Sequence, residues 1–169
     1  KIQPAIFNIW IDILKSKENS VLWLLADEKS ESVKNILEYA QERGVARNRI
    51  IYSNRCEMND YLDRLKVADL FLDTFPVTAH TTASDALWVG LPVLTLAGKS
   101  MASRIAGSLL NSINMKELIT YNYNDYKNIA LKLSNDKIKY NKIKSKLQKN
   151  RHTSPLFNTK QYTKDLEEI

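Results

Sequence analysis

Asp69-Leu-Phe-Leu-Asp73-Thr-Phe-Pro-Val-Thr-Ala-His80-Thr81-Thr82-Ala-Ser-Asp85-Ala-Leu-Trp-Val-Gly90-Leu-Pro-Val93-Leu-Thr-Leu96 is the stretch whose reading decides the fold. Its two ends, Asp69 to Asp73 and Val93 to Leu96, are short apolar runs of the length of buried strands. Between them Thr82 to Val89 has helical spacing, and Gly90 stands where a left-handed residue closes a helix. Strand, helix, strand in that order is a parallel crossover unit, and such units put helices on the faces of a sheet.

The same alternation extends both ways. Upstream, Phe7, Trp10, Ile11 and Leu14 share one helical face, with Pro4 in the first turn where its missing N–H costs nothing. The run Val21 to Ala26 reads as a strand covered on both faces. A helix follows from about Ser30 to Arg43 with Gly44 at its end, then a strand Ile50 to Ser53 and a helix near Asn59 to Lys66. Downstream come a helix Ala102 to Leu110 and a short strand near Leu118 to Thr120. From Asn124 the pattern is helical in three pieces, the last about Thr159 to Glu168. The expected architecture is α/β, a doubly wound parallel sheet with C-terminal helices, in one domain spanning 1–169.

Composition narrows the chemistry. With 169 residues, 44% hydrophobic and 26% charged, the chain suits one globular domain with a core. Its four glycines, Gly44, Gly90, Gly98 and Gly107, cannot be spaced as G-x-G-x-x-G or G-x-x-x-x-G-K, so glycine-loop nucleotide motifs are excluded. Cys56 stands alone and forms no intrachain disulfide; His80 and His152 are too far apart in sequence for a histidine-pair zinc motif. The longest apolar stretch, Val21 to Ala26, is far below the roughly 20 residues that span a bilayer, and a cytoplasmic protein is expected.

The net charge of +6 is local. Seven lysines and one arginine against Asp136 alone put +7 between Lys132 and Arg151, leaving about −1 for the rest. There Lys139, Lys142, Lys146 and Lys149 fall at helical spacing, with Tyr140, Ile143 and Leu147 on another face. Such a stripe is either a solvated helix face or a surface for an anionic partner. It lacks the interleaved aromatics of a base-stacking platform, so nucleic acid is not an expected partner.

In sheets of this kind ligands sit beyond the carboxyl ends of strands, at the start of the next helix. First-turn N–H groups carry roughly half a positive charge there, and Thr81 and Thr82 add hydroxyl donors, so a phosphate could be held without a glycine loop. Thr82-x-x-Asp85 also fits a variant capping box, which occurs at many helix starts, needs no ligand and is the commoner reading of such a spacing. On pattern alone both readings stay open.

Taken together, Val67-Ala-Asp-Leu-Phe-Leu-Asp-Thr74, Ala79-His-Thr-Thr-Ala-Ser-Asp-Ala-Leu-Trp88, Gly90-Leu-Pro-Val-Leu-Thr95 and Ala102-Ser-Arg-Ile-Ala106 closely resemble the C-terminal catalytic half of the O-linked N-acetylglucosamine transferase and SPINDLY-like glycosyltransferases. Val21-Leu-Trp-Leu-Leu25, Arg49-Ile-Ile51 and Ser154-Pro-Leu-Phe157 match as well, so the resemblance covers essentially the whole chain. It implies the donor-binding, Rossmann-like half of a GT-B glycosyltransferase, with the N-terminal catalytic half absent. The donor implied is a UDP-sugar, UDP-N-acetylglucosamine first, and the acceptor a serine or threonine hydroxyl of a protein. By the same resemblance Lys1 contacts the diphosphate, His80, Thr81 and Thr82 hold the phosphates, Asp85 binds ribose, and Arg64 lies near the uracil.

Two positions depart from the family pattern. Where relatives carry a lysine and a histidine flanking the nucleoside, this chain has Met58 and Tyr61. Tyr61 can still stack on a base, whereas Met58 cannot donate to ribose. The family reaction inverts the anomeric carbon and leaves charge on the departing diphosphate, which fixed N–H groups and a lysine would stabilise. Without a metal-binding carboxylate motif, no cofactor or metal is expected, and no general base is assigned. The alternative is a noncatalytic sugar-nucleotide-binding or interaction module, in which Met58 and Tyr61 mark lost activity.

Overall fold

The computed structural model describes residues 2–27 and 29–168. Among them are five short strands and eight α-helices in the alternation read from the sequence. In order these are α1 (Pro4–Ser16), β1 (Leu22–Leu25), α2 (Glu31–Glu42), β2 (Ile50–Ser53), α3 (Met58–Val67), β3 (Phe71–Leu72), α4 (Thr81–Val89), β4 (Val93–Leu96), α5 (Ile105–Ser112), β5 (Ile119–Thr120), α6 (Tyr123–Asn135), α7 (Lys137–Thr153) and α8 (Thr159–Glu167). Every strand pairing is parallel. They form two sheets, β1 with β2 and β3-β4-β5, with Leu72 opposite Leu94 and Leu96 opposite Thr120.

β4 is buried along its whole length, and its side chains alternate between two cores. Leu94 and Leu96 join Phe7, Trp10, Leu14, Ala40, Ile50 and Tyr126, so α1, α2 and α6 lie on that side. Val93 joins Ala83, Leu87, Leu110, Met115, Ile143 and Leu147, which brings α4, α5 and α7 to the other. This is the doubly wound arrangement. Leu87 and Leu147 are fully buried, and each such side chain is worth about 1.5–3 kcal/mol over its exposed state.

The punctuation follows from backbone chemistry. Pro4 opens α1, and Gly90 ends α4 with φ of 85°, a conformation that a side chain would strain. Asn122 and Asp136 cap α6 and α7 through their side chains. Arg49 donates to the carbonyls of Leu14, Lys17 and Ser20, fastening the end of α1 and the entry to β1 against β2.

Two expectations need correction. β1 is not covered on both faces: Trp23 and Leu25 point outward, 37% and 61% exposed, while Leu22 and Leu24 pack inward. The helix expected from Ala102 begins as a 3-10 turn over Met101–Ser103, and α5 starts only at Ile105. The lysine stripe lies on α7 as read, with Ile143 and Leu147 inward. Lys146 is paired with Glu117 at 2.7 Å, so part of the stripe's charge is answered within the fold.

Candidate functional site

The carboxyl end of β3 leads through residues 74–80 into α4, and the start of α4 is open to solvent: His80, Thr81 and Thr82 are all exposed. His80 is the N-cap residue, and no side chain caps the helix. The amides of Ala83 and Ser84 both donate to the His80 carbonyl; those of His80, Thr81 and Thr82, and the two threonine hydroxyls, bond to nothing among the described residues. That arrangement leaves an N-terminal helix pole, with its partial positive charge, flanked by two hydroxyl donors. The capping-box reading does not hold. Because the helix begins at Thr81, Thr82 is its second residue and cannot act as the cap acceptor.

Asp85 turns toward α3 instead. The Tyr61 hydroxyl is sealed from solvent and accepts or donates no bond of ordinary geometry. Burial, and then the neighbouring Asp85 carboxylate, push the phenol up to about 12. α3 and α4 pack against each other, and this brings Tyr61 and Asp85 together. Arg64 donates from Nη1 to the Asn54 carbonyl at 2.8 Å, its guanidinium 6.0 Å from the centre of the Trp23 ring. Met58 opens α3, is 61% exposed and offers no side-chain donor. Lys1 lies outside the described residues.

Residues the sequence reading overlooked hold this edge in place. Asp73, at the end of β3, is fully buried. Its Oδ1 accepts from the amides of Thr74 and Ala79, each at 2.8 Å, and its Oδ2 accepts from Thr95 Oγ1 at 2.6 Å. Burial raises its carboxyl to about 6, against the lowering by those three donors and by nearby His80. The Asp73 carbonyl accepts from Tyr126, whose oxygen in turn accepts from Trp10 Nε1. A lone carboxylate closing an apolar strand was the available signal. Thr78 donates through both its amide and its hydroxyl to the Ala102 carbonyl, stitching the loop after β3 to the loop after β4, where Lys99 and Arg104 are exposed.

Among the described residues no group of three or more His, Cys, Asp or Glu side chains is placed to hold a metal ion. Cys56 is a free, exposed thiol. No helix of the described residues is long and apolar enough to cross a membrane.

The chain is similar to known proteins over nearly all of its length. The model of glycosyl transferase family 41 matches residues 1–166. The chain is 36% identical over 169 residues to a UDP-N-acetylglucosamine–peptide N-acetylglucosaminyltransferase of Caenorhabditis elegans, covering all of this chain and 15% of that protein. It is 35% identical over 168 residues to an Arabidopsis thaliana protein named as the probable enzyme of the same kind, SEC, covering 99% of this chain and 17% of that one. Among solved structures, a lysine-to-methionine mutant of the Thermobaculum terrenum O-GlcNAc transferase superposes with a TM-score of 0.90 at 29% identity, over 99% of this chain and 32% of that one. The chain thus spans under a fifth of the length of these curated relatives.

Proposed function

Because the chain belongs to glycosyl transferase family 41, we propose that it is the donor-binding part of an inverting protein O-glycosyltransferase, taking a UDP-sugar, UDP-N-acetylglucosamine first. The observation that carries this is the exposed start of α4, where unpaired amides and the Thr81 and Thr82 hydroxyls converge beyond the end of β3. The pole suits a diphosphate, whose charge grows as the sugar leaves. A preorganised donor aimed at developing charge is worth about 2.7–4 kcal/mol in the one well-measured oxyanion case. Asp85 would accept from ribose hydroxyls, and the Tyr61 ring would offer its face to the base. Lys1 would contact the diphosphate and Arg64 would sit near the uracil. The oxygen of a serine or threonine hydroxyl of a protein bonds to the anomeric carbon from the side opposite the diphosphate as the bond from that carbon to the diphosphate breaks, which inverts the configuration. UDP departs with the electron pair, and the hydroxyl proton passes to solvent. The phosphate contacts come from amides, hydroxyls and cations, so no metal or other cofactor is needed.

One wall of a cleft binds a nucleotide but does not position an acceptor. The chain alone should therefore bind UDP weakly and transfer no sugar. Calorimetry with UDP and a transfer assay with UDP-N-acetylglucosamine and a Ser/Thr peptide test this; turnover by this chain by itself would overturn the one-wall argument.

A second reading is favoured by the nucleoside side of the site. Met58 has no donor and the Tyr61 hydroxyl is sealed beside Asp85, as a noncatalytic sugar-nucleotide-binding or interaction module would tolerate. Transfer by the protein with its other catalytic half present separates the two.

A further inference from the structure

We infer that Asp73 is a positioning residue for donor binding: its buried carboxylate holds the loop 74–80 closed and thereby aims the first amides of α4 at the diphosphate. The inference rests on the donor-binding reading and goes beyond it, because Asp73 itself touches no part of the proposed site. A single oxygen, Oδ1, accepts from the amide of Thr74, the first residue of the loop, and from that of Ala79, the residue before the N-cap His80. The two ends of the loop are therefore tied to one point. Oδ2 is fixed in turn by the Thr95 hydroxyl of β4, so the carboxylate cannot rotate without breaking a third bond.

The main chain of Asp73 is held as firmly as its side chain. Its N–H donates to the Leu94 carbonyl, and its carbonyl accepts from Tyr126. Within the loop Thr74 Oγ1 donates to the Val77 carbonyl, and Thr78 is bound to Ala102. His80, Thr81 and Thr82 make no bond through side chain or amide among the described residues; they are held on the helix side by the His80 carbonyl, which accepts from Ala83 and Ser84, and on the loop side by Ala79 and, through it, Asp73. An ionised group in so dry a place is costly. Its three donors offset that cost, and what they secure is the loop geometry.

The test is titration of the chain with UDP at a temperature where far-ultraviolet circular dichroism shows each variant folded. Asp73→Ala should weaken UDP by tenfold or more. Asp73→Asn should bind within about threefold of the parent, because an amide oxygen still accepts from Thr74 and Ala79 and its NH2 can donate to Thr95. A purely structural role would not produce that split between two folded variants. Thr95→Val, which frees only Oδ2, should weaken UDP by about threefold or more, and it decides the matter if Asp73→Ala does not fold. Folded Asp73→Ala binding within threefold of the parent overturns the inference, as does parent-like binding by Thr95→Val where the alanine variant is unfolded. Absence of UDP binding by the parent chain overturns instead the donor-binding reading on which it stands.

Discussion

Asp73 should make the stability of the chain fall as pH rises from 4.5 to 7.5. Its carboxyl titrates near 6 in the fold against 3.8 for an exposed aspartate, with burial as the leading cause. The folded state therefore holds this proton more tightly than the unfolded chain does. The stabilisation is complete below pH 3.8 and is lost as pH rises through about 6. At 1.36 kcal/mol per pH unit, linkage between those values gives a loss of about 2 kcal/mol from pH 4.5 to 7.5. Urea denaturation at the two pH values, on the parent and on Asp73→Asn, isolates the effect, because the asparagine keeps the acceptor to Thr74 and Ala79 but does not titrate. The parent should lose about 2 kcal/mol more than the variant. Equal losses would refute the reasoning, since they would mean that Asp73 is ionised as readily in the fold as out of it.

Three further outcomes follow from the same geometry. Tyr61→Phe removes a sealed hydroxyl that has no partner beside a carboxylate, so thermal melting should show stability unchanged or raised by about 1 kcal/mol. In UDP titrations Tyr61→Ala should lose roughly 5- to 150-fold, the worth of one base–aromatic stack, while Tyr61→Phe keeps near-parental affinity; an unchanged alanine variant would remove Tyr61 from the site. UDP affinity should be the same with and without EDTA, and its abolition by the chelator would show that a cation supplies what the helix pole is proposed to supply.

Much of the fold was legible because strand and helix periods alternate cleanly around Asp69 to Leu96, and because Gly44 and Gly90 sit at left-handed helix ends, with φ of 82° and 85°. The coverage of β1 was not. A continuous apolar run reports composition, and which of its side chains point outward depends on the helices that flank the sheet. In the fold Trp23 and Leu25 stay open. The chemistry of the α4 start turned on a single residue of phase: with the helix beginning at Thr81 rather than Thr82, His80 becomes the cap and the Thr82-x-x-Asp85 spacing no longer describes a box. Asp73 was hidden for another reason. Its partners, Thr74, Ala79 and Thr95, are ordinary residues whose convergence on one carboxylate exists only after β3 and β4 have paired.

The measurement that bears most directly on donor binding is UDP titration of Thr81→Ala/Thr82→Ala beside the parent, with thermal melting of both. Neither hydroxyl is bonded within the fold and both residues are exposed, so stability should change by no more than about 0.5 kcal/mol. Hydrogen bonds to a charged group are worth about 1.5–3 kcal/mol each, so losing even one should weaken UDP by tenfold or more. Undiminished affinity in the folded double variant would contradict the placing of the diphosphate at the start of α4.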